Sequence, residues 1–216
     1  MAITALIFDF DGLLMDTEST SLASWQQEWR EHRLELAADG FFVDHGGDVS
    51  QDRYDQLAAA VGPGFDRAAS HARRTAHRDE LNAALGLAPG IGDWLDQAGQ
   101  LGLRLAVASS SPRSWVVRLL GQIGHLDRFE TVVCGDEVER VKPDPGVYLL
   151  ALDQLGVAPE DAIAFEDTAH GVAAAKAAGL RCIAVPNRHA DPAVFGAADI
   201  LLTSAAERAI ADLISA

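Results

Sequence analysis

Short runs of apolar residues, each bounded by Gly, Asp or Ser, recur along the chain. Runs of this length and composition are typical of strands that are buried on both faces of a sheet. They lie at Ala5 to Phe8, Leu103 to Ala108, Thr131 to Val133, Ala162 to Phe165 and Arg181 to Val185.

Between the later runs the apolar residues take a helical spacing. One such helix is predicted from Val147 to Leu155, after Pro145, and another from Ala169 to Ala178, ended by Gly179. Strands that alternate with helices predict a parallel sheet with helices on both faces. In such sheets ligands bind at the carboxyl ends of the strands, near the point where the strand order reverses.

The segment 16–81 breaks this alternation, because it contains helical patterns and no strand-like run. The residues that share its two apolar helix faces are Leu22, Trp25 and Trp29, and then Tyr54, Leu57, Ala58 and Val61. We expect a helical cap domain over 16–81, inserted into a catalytic α/β core formed by 1–15 and 82–216. The two expected hinges are Gly12 to Leu14 and Leu81 to Leu87, which adjoin core elements.

The charge of the chain narrows the classes of partner. Its 17 basic and 32 acidic residues give a formal net charge of -15, which repels a phosphate backbone, so nucleic acid is not expected as a partner. A phosphorylated metabolite is repelled too, unless a lysine, backbone N–H groups or a bound cation compensate locally. The sequence must therefore be searched for such a local site.

The composition, and the lack of a recognisable targeting signal, predict a cytoplasmic globular protein. Hydrophobic residues make up 49% of the chain, but no apolar stretch approaches the roughly 20 residues of a membrane helix. Asp9 and Asp11 interrupt the first apolar run, which argues against a signal peptide. Cys134 and Cys182 lie in apolar runs without metal-type spacing and are expected to be buried free thiols. The oligomeric state is not predicted.

Two carboxylates, Asp9 and Asp11, follow the first predicted strand, and the glycine Gly12 comes next. Alternation along an extended chain places both carboxylates on the same side. Two acids at a strand end are costly to keep away from water unless they have partners. The motif therefore indicates catalytic carboxylates, and a turn in which an aspartate caps the next segment is the alternative.

Three serines, Ser109 to Ser111, end the second predicted strand ahead of an apparent helix. A hydroxyl group and free backbone N–H groups at such a junction can hold a phosphate. The alternative is an ordinary helix start, with a serine as the N-cap and Pro112 as the first helical residue.

One of the two lysines, Lys142, lies between an apolar residue and Pro143. Its limited freedom suits a fixed positive charge beside a phosphoryl group, and a solvated lysine is the alternative. Asp144 and Pro145 are explained as the N-cap and first residue of the next helix, so we assign them no chemistry.

Two adjacent acids, Glu166 and Asp167, follow the strand predicted at Ala162 to Phe165. Their hard oxygen ligands suit Mg²⁺, and the alternative makes Asp167 or Thr168 a helix cap. Four such motifs, each at the carboxyl end of a predicted strand and in this order, are difficult to obtain by chance.

Taken together the motifs resemble those of the haloacid dehalogenase-like hydrolase superfamily. The resemblance spans almost the whole chain and rests on four motifs: Asp9-x-Asp11-Gly12, Ser109 after a strand, Lys142-Pro143 and Glu166-Asp167. The position of the expected cap resembles the subgroup of small sugar phosphatases, phosphoglycolate phosphatases and beta-phosphoglucomutase. The resemblance implies a Rossmann-like parallel sheet core with helices on both faces and an inserted α-helical cap.

The resemblance also implies roles for individual residues. Asp9 is the implied nucleophile, which forms a phosphoaspartate, Asp11 the general acid and then base, and Lys142 a catalytic positive charge. The implied phosphate-binding residues are Gly12, Ser109, Ser110 and Lys142. The implied ligands of Mg²⁺ are Asp9, Asp11 through its carbonyl, Asp167 and, in the shell or near it, Glu166. A cation is needed because the Asp9 carboxylate otherwise repels an anionic phosphate.

The cap is expected to select the substrate, which we take to be a small phosphorylated metabolite. The segment Gly46 to Gln51 resembles the glycine-containing specificity loop of the subgroup but lacks the arginine found there in beta-phosphoglucomutase. A basic cluster in the cap, formed by Arg73, Arg74, His77 and Arg78, is a candidate contact for a substrate anion. A solvated helix face is the alternative for this cluster.

Hydrolysis of a phosphomonoester is the expected reaction, and a phosphomutase is the first alternative. In beta-phosphoglucomutase a histidine assists transfer back to the sugar, four residues beyond the threonine that corresponds to Thr17. The position here is Ser21, which favours hydrolysis. A dehalogenase would not need the carboxylate of Asp11, and a non-catalytic binding module would not need every acid, the serine and the lysine.

Overall fold

A computed structural model of the chain describes residues 2–38, 41, 50–187 and 190–215. A six-stranded, fully parallel sheet has the strand order β3-β2-β1-β4-β5-β6. Its strands are β1 (Ala5–Phe8), β2 (Arg104–Ala108), β3 (Thr131–Val133), β4 (Ala162–Glu166), β5 (Arg181–Ala184) and β6 (Ile200–Leu201). The predicted α/β class with a parallel sheet is thereby confirmed.

Eight α-helices are formed by the described residues. They are α1 (Thr17–Glu31), α2 (Ser50–Val61), α3 (Arg67–Ala83), α4 (Ile91–Gln100), α5 (Arg113–Gln122), α6 (Gly146–Leu155), α7 (Ala169–Ala177) and α8 (Ile210–Ser215). Among the described residues no helix combines the length and the apolar character that a bilayer span requires.

Both faces of the sheet are covered, which explains the continuous apolar runs of the central strands. Leu6 and Phe8 of β1 belong to one buried cluster, which also contains residues of α4, α5 and α8. Ala5 and Ile7 belong to a second cluster, with residues of α6 and α7. The ring of Phe8 stacks on that of Phe165 in β4 at 4.8 Å between centroids, which joins the two central strands.

The helices α1 to α3 lie between β1 and α4 in the chain and are called here the helical insertion, residues 17–83. The insertion has a small apolar cluster of its own, in which Trp25 and Tyr54 are buried with ring centroids 4.6 Å apart. Asp16 caps helix α1, because its side chain accepts a hydrogen bond from the Ser19 N–H at 3.1 Å. Thr20 of α1 donates to Asn82 of α3 at 2.6 Å, which ties the two helices together.

Helices α5 and α6 each begin one residue after the proline that the sequence reading, or its alternative, made the first helical residue. Pro112 is the N-cap of α5 and not its first helical residue, because its ψ of 146° is extended. Pro145 occupies the N-cap position of α6, although its φ of -72° and ψ of -1° are already helical. The Asp144 side chain, one residue earlier, accepts a hydrogen bond from the Gly146 N–H at 3.1 Å and so satisfies a donor of the first turn.

Candidate active site

The carboxyl ends of β1 and β4 lie side by side in the middle of the sheet. Phe8 is paired with Phe165, so the residues that follow them, Asp9 and Glu166, are neighbours at these strand ends. The Asp9 N–H donates to the Phe165 carbonyl at 2.9 Å. Because β1 and β4 form the pair at which the strand order reverses, this edge is where a sheet of this type binds ligands.

Lys142 brings three strand ends together. Its ammonium group donates to the Asp9 carboxylate, to Glu166 Oε1 at 2.6 Å and to the Ala108 carbonyl at the end of β2 at 2.7 Å. The residue is only 3% exposed, so the alternative of a solvated lysine is wrong. Burial opposes its charge, but the charges of Asp9 and Glu166 outweigh burial and raise the pKa of Lys142. Lys142 is therefore a buried positive charge beside Asp9.

Both carboxylate oxygens of Glu166 are held by the protein. Oε1 accepts hydrogen bonds from Lys142 and from the Tyr148 hydroxyl, the latter at 2.5 Å. Oε2 accepts from the Asp167 N–H at 3.2 Å and lies 3.4 Å from the Thr168 hydroxyl. Sequence reasoning did not anticipate Tyr148, which belongs to α6. The arrangement makes Glu166 a fixed counter-charge that positions Lys142.

Three buried carboxylates form a group that can hold a cation. Oxygens of Asp9, Glu166 and Asp167 lie within 4.8 Å of one another. Asp167 Oδ2 accepts a hydrogen bond from Asn187 at 3.3 Å, whereas its buried Oδ1 has no partner among the described residues. Burial, followed by the charges of neighbouring carboxylates, raises the pKa of Asp167 well above its usual range. A divalent metal ion would fit this oxygen-rich group and relieve its repulsion.

The Asp11 carboxylate is held by three side-chain donors that do not contact Asp9. Its Oδ1 accepts hydrogen bonds from the Thr17 hydroxyl at 2.8 Å and the Trp115 indole at 2.9 Å. Its Oδ2 accepts from the Ser111 hydroxyl at 2.6 Å. Burial raises the pKa of Asp11, although these three donors oppose the shift. Asp11 is thus oriented by α1 of the helical insertion and by the start of α5.

The three serines do not cap α5. Ser109 is buried, and its hydroxyl accepts a hydrogen bond from the Ser111 N–H at 3.0 Å, while the Ser111 hydroxyl donates to Asp11. The N-cap of α5 is Pro112, without a side-chain cap, so the alternative of a serine cap is wrong. The backbone of Ser110 packs closely against Gly135, where a Cβ would overlap the Ser110 carbonyl oxygen.

Two glycines allow chain segments to approach the carboxylates closely. Gly12 has a φ of 83°, and a Cβ there would overlap the carboxylate of Asp167. A Cβ on Gly171, in the first turn of α7, would overlap the carboxylate of Glu166. Thr168 caps this helix by accepting from the Gly171 N–H at 3.1 Å, so the predicted cap coexists with the acidic group. Gly12 therefore lies directly against the acidic group.

Comparison with known proteins decides the family. Residues 6–185 match the family model described as haloacid dehalogenase-like hydrolase. The chain belongs to this family. It is 38% identical to YhcW of Bacillus subtilis, a phosphatase by name alone, with 98% of this chain and 96% of that protein covered. It is 34% identical to the protein CbbY of Rhodobacter capsulatus, with 99% and 100% covered. The predicted membership is thereby confirmed.

A solved structure in the family extends the likeness to the fold. The crystal structure of CbbY from Rhodobacter sphaeroides in complex with phosphate has a TM-score of 0.77 and 32% identity, and the alignment covers 98% of this chain and 99% of that chain. A phosphorylated carbohydrates phosphatase of Thermotoga maritima is 30% identical, with 83% of each chain covered. The named relatives include phosphatases, in agreement with the predicted phosphohydrolase class.

A cavity of about 510 Å³ separates the strand ends from the helical insertion of this hydrolase. Its volume lies in the range of about 300 to 1,000 Å³ that small-molecule sites occupy. The core residues that line it include Asp9, Asp11, Ser109, Ser110, Lys142 and Asp167. The insertion contributes residues of α1, α2 and α3, among them Ser21, Gln51 and Arg74. Of the specificity-loop segment, 46–49 lies outside the described residues.

The basic cluster predicted in the insertion divides into two pairs. Arg73 donates to the buried Glu28 of α1, and His77 lies 3.7 Å from Glu80. Arg74 and Arg78 line the cavity. The i, i+4 spacing of Arg74 and Arg78 puts them on one side of α3. The sequence does not tell which side of α3 faces the cavity, because that depends on how the helix packs. The alternative of a solvated face is wrong for Arg74, which is 3% exposed.

Proposed function

We propose that the chain is a Mg²⁺-dependent phosphatase that hydrolyses a small organic phosphomonoester, a sugar phosphate or phosphoglycolate-like compound, through a phosphoaspartate. The observation that carries the proposal is the buried Lys142 ammonium, which contacts Asp9 and Glu166. A fixed positive charge beside a nucleophilic carboxylate is what phosphoryl transfer requires, since catalysis there is mainly positioning and charge stabilisation.

The residues that would hold Mg²⁺ are Asp9, Asp167, the carbonyl of Asp11 and, near or in the shell, Glu166. The unpartnered Oδ1 of Asp167 supports this assignment within the described residues. When bound, the ion would offset the repulsion between the carboxylates and an anionic phosphoryl group. Because both Glu166 oxygens already accept hydrogen bonds, we assign Glu166 mainly to the support of Lys142.

In the first chemical step a carboxylate oxygen of Asp9 forms a bond to phosphorus, and the bond from phosphorus to the substrate oxygen breaks. Asp11 gives its proton to the departing oxygen, so the alcohol leaves neutral. Lys142 stabilises the negative charge on the phosphoryl oxygens, and Ser109 and Ser110 with Gly12 form the rest of the phosphate site. The product of this step is phosphoaspartate at Asp9.

In the second step Asp11, now ionised, takes a proton from a water molecule that attacks phosphorus. The bond between Asp9 and phosphorus breaks, which releases inorganic phosphate and restores the Asp9 carboxylate. The donors around Asp11 support this dual role, because they fix the carboxylate in one orientation and are themselves uncharged.

We assign residues 16–81 as the cap and residues 1–15 and 82–216 as the catalytic core. The cap role is supported by the cavity, which residues of the insertion line opposite Asp9. Such a cover excludes bulk water from the reacting groups and provides side chains for substrate selection. The relatives support a small phosphorylated sugar as the substrate, since CbbY of Rhodobacter sphaeroides has been crystallised with phosphate and with xylulose-(1,5)bisphosphate.

Phosphate release from a panel of sugar phosphates, phosphoglycolate and nucleotides, with Mg²⁺ present, tests the proposed function. We expect release from at least one small sugar phosphate or carboxylated phosphate above the rate in excess chelator. The matched control is the Asp9→Asn protein, prepared and assayed in parallel to exclude contaminating phosphatases. Equal release by the two proteins, or none from the whole panel, would contradict the proposal.

A further inference from the structure

Two arginines of the helical insertion, Arg74 and Arg78, line the cavity, and neither forms an ion pair with a described residue. Arg74 is buried, its Nε donates to the Tyr54 hydroxyl at 2.7 Å, and its guanidinium lies 4.4 Å from the centre of the Trp25 ring. The guanidinium of Arg78 lies 4.6 Å from the centre of the Trp115 ring. Within the described residues neither arginine has a carboxylate oxygen within 4.0 Å.

Other arginines of α3 do form ion pairs, so acidic residues are available near this helix. Arg73, next in the chain, is paired with Glu28, and Arg67 of the same helix is paired with Asp55. The formal net charge of -15 makes unpaired arginines unexpected anywhere in the chain. Aromatic rings and a hydroxyl hold Arg74 and Arg78 in place instead, which leaves their donor groups available to a ligand.

Arg78 carries a further sign of an absent partner. Its Nε is buried and has no hydrogen-bond partner among the described residues. Burial, and after it the charge of Arg74, lowers the pKa of Arg78 below its usual value, although the charges of Asp79 and Asp11 oppose the shift. Arg78 is half-buried, and a buried, unpaired Nε beside a second, buried cation is costly unless an anion joins them.

We infer that Arg74 and Arg78 bind a second anionic group of the substrate, a phosphate or a carboxylate, while the phosphoryl group that reacts lies at Asp9 and Lys142. The inference rests on the proposed function and narrows its substrate class to phosphomonoesters with a second oxyanion. Arg74 is anchored on α1 and α2 residues, whereas Lys142 is anchored at the strand ends, so the two positive sites belong to opposite walls of the cavity.

The first test compares substrates that differ by one anionic group. The pairs are fructose 1,6-bisphosphate with fructose 6-phosphate, ribulose 1,5-bisphosphate with ribulose 5-phosphate, and 3-phosphoglycerate with glycerol 1-phosphate. For at least one pair we expect kcat/KM of the doubly anionic member to be about tenfold higher or more. In Arg78→Gln this ratio should fall by about fivefold or more, because a bidentate donor is lost. Arg67→Gln, an exposed arginine of the same helix, should keep the wild-type ratio.

The second test separates this inference from the proposed function, because it needs binding only. Calorimetric titration of the Asp9→Asn protein with the same pairs should show tighter binding of the doubly anionic member, and Arg78→Gln in that background should remove the preference. No preference in any pair, or a preference that Arg78→Gln and Arg74→Lys leave intact, would overturn the inference. Failure of the wild-type protein to release phosphate would instead count against the proposed function, with the binding result still decisive for the arginines.

Discussion

The indole Nε1 of Trp115 donates a hydrogen bond to Asp11 Oδ1 at 2.9 Å. Trp115 lies in α5 of the core, and its ring faces the guanidinium of Arg78 from the helical insertion and that of Arg118 at 5.1 Å. Arg118 is in turn 3.3 Å from Asp79 of α3. One core side chain thus contacts both the carboxylate that we assign as general acid and the helix that covers the cavity.

Replacement of Trp115 by Phe should therefore affect substrates according to their leaving group. Phenylalanine keeps an aromatic ring against Arg78. Asp11, however, loses one of its three hydrogen-bond donors and is oriented less firmly. We expect kcat/KM for alkyl phosphates, whose leaving oxygen needs a proton, to fall by about tenfold, and that for p-nitrophenyl phosphate to fall much less. Trp94→Phe is the matched control, because it removes an indole hydrogen bond, to the Arg208 carbonyl, away from the site. An equal loss for both leaving groups would mean that Trp115 has only a structural role.

Asp9→Asn should leave the fold intact and lower turnover by roughly a thousandfold or more, since the amide has nearly the same shape but is a very poor nucleophile. Circular dichroism and thermal unfolding would check the fold, and phosphate release the turnover. Trapping of radiolabelled phosphate on the protein, after rapid acid quench, should succeed for the wild type and fail for the variant. Substantial turnover by the variant would rule out Asp9 as the nucleophile.

Addition of Mg²⁺ should stabilise the protein as well as activate it. The ion relieves the repulsion among buried carboxylates, so the melting temperature should rise with Mg²⁺ concentration, by the equivalent of about 2.7 kcal/mol at a hundred times Kd. Asp167→Asn should lose most of this rise, although its melting temperature without metal should not be lower than that of the wild type. Excess chelator should abolish activity and Mg²⁺ should restore it. Full activity in chelator would contradict a role for the metal.

Lys142→Ala should harm both activity and stability. Turnover should fall by about 10² to 10³, because a positive charge beside the transferring phosphoryl group is lost. The free energy of unfolding should fall by about 3 to 5 kcal/mol, since Asp9 and Glu166 stay buried without their cation. Urea unfolding and phosphate release measure the two effects. A change in turnover of less than about threefold would show that Lys142 does not act on the phosphoryl group.

The positions of the candidate catalytic groups could be predicted from the sequence, because the carboxyl ends of parallel strands meet at one edge. This rule was enough to bring together Asp9, Ser109 and Asp167, which directly follow β1, β2 and β4. Lys142 lies well beyond the end of β3, in the turn before α6, so no strand end places it. Partners that lie on helices were not predictable in this way. The contacts of Tyr148 with Glu166 and of Trp115 with Asp11 depend on how α6 and α5 pack, and nothing in their local sequence indicates either contact.

Short or ambiguous elements were missed for similar reasons. The edge strand β6 has two residues, too few for a periodic pattern, and its pairing with β5 is set by the fold. The division of the basic cluster depends on the rotation of α3 about its axis. Sequence spacing separates Arg74 and Arg78 from Arg73, but only the packing of α3 shows that Arg73 pairs with Glu28 while Arg74 and Arg78 line the cavity.

Product analysis distinguishes hydrolysis from a mutase reaction. A mutase must keep water from the phosphoaspartate until a sugar hydroxyl arrives, so its cap has to couple substrate binding to the position of the general base. Ser21 lines the cavity from α1 at the position that corresponds to the histidine of beta-phosphoglucomutase, and a serine cannot supply the same shared proton. Water should therefore intercept the intermediate.

Incubation with beta-glucose 1-phosphate and Mg²⁺, followed by phosphorus NMR, should accordingly show inorganic phosphate as the main product and at most minor glucose 6-phosphate. Ser21→His provides a matched variant, in which any coupling through this position should raise the fraction of isomerised sugar phosphate. Trace glucose 1,6-bisphosphate is included in a parallel sample, because a mutase cycle needs a phosphorylated enzyme at its start. Predominant glucose 6-phosphate from the wild type, with little free phosphate, would replace hydrolysis by phosphoryl transfer to the sugar and leave the roles of Asp9 and Asp11 as they are.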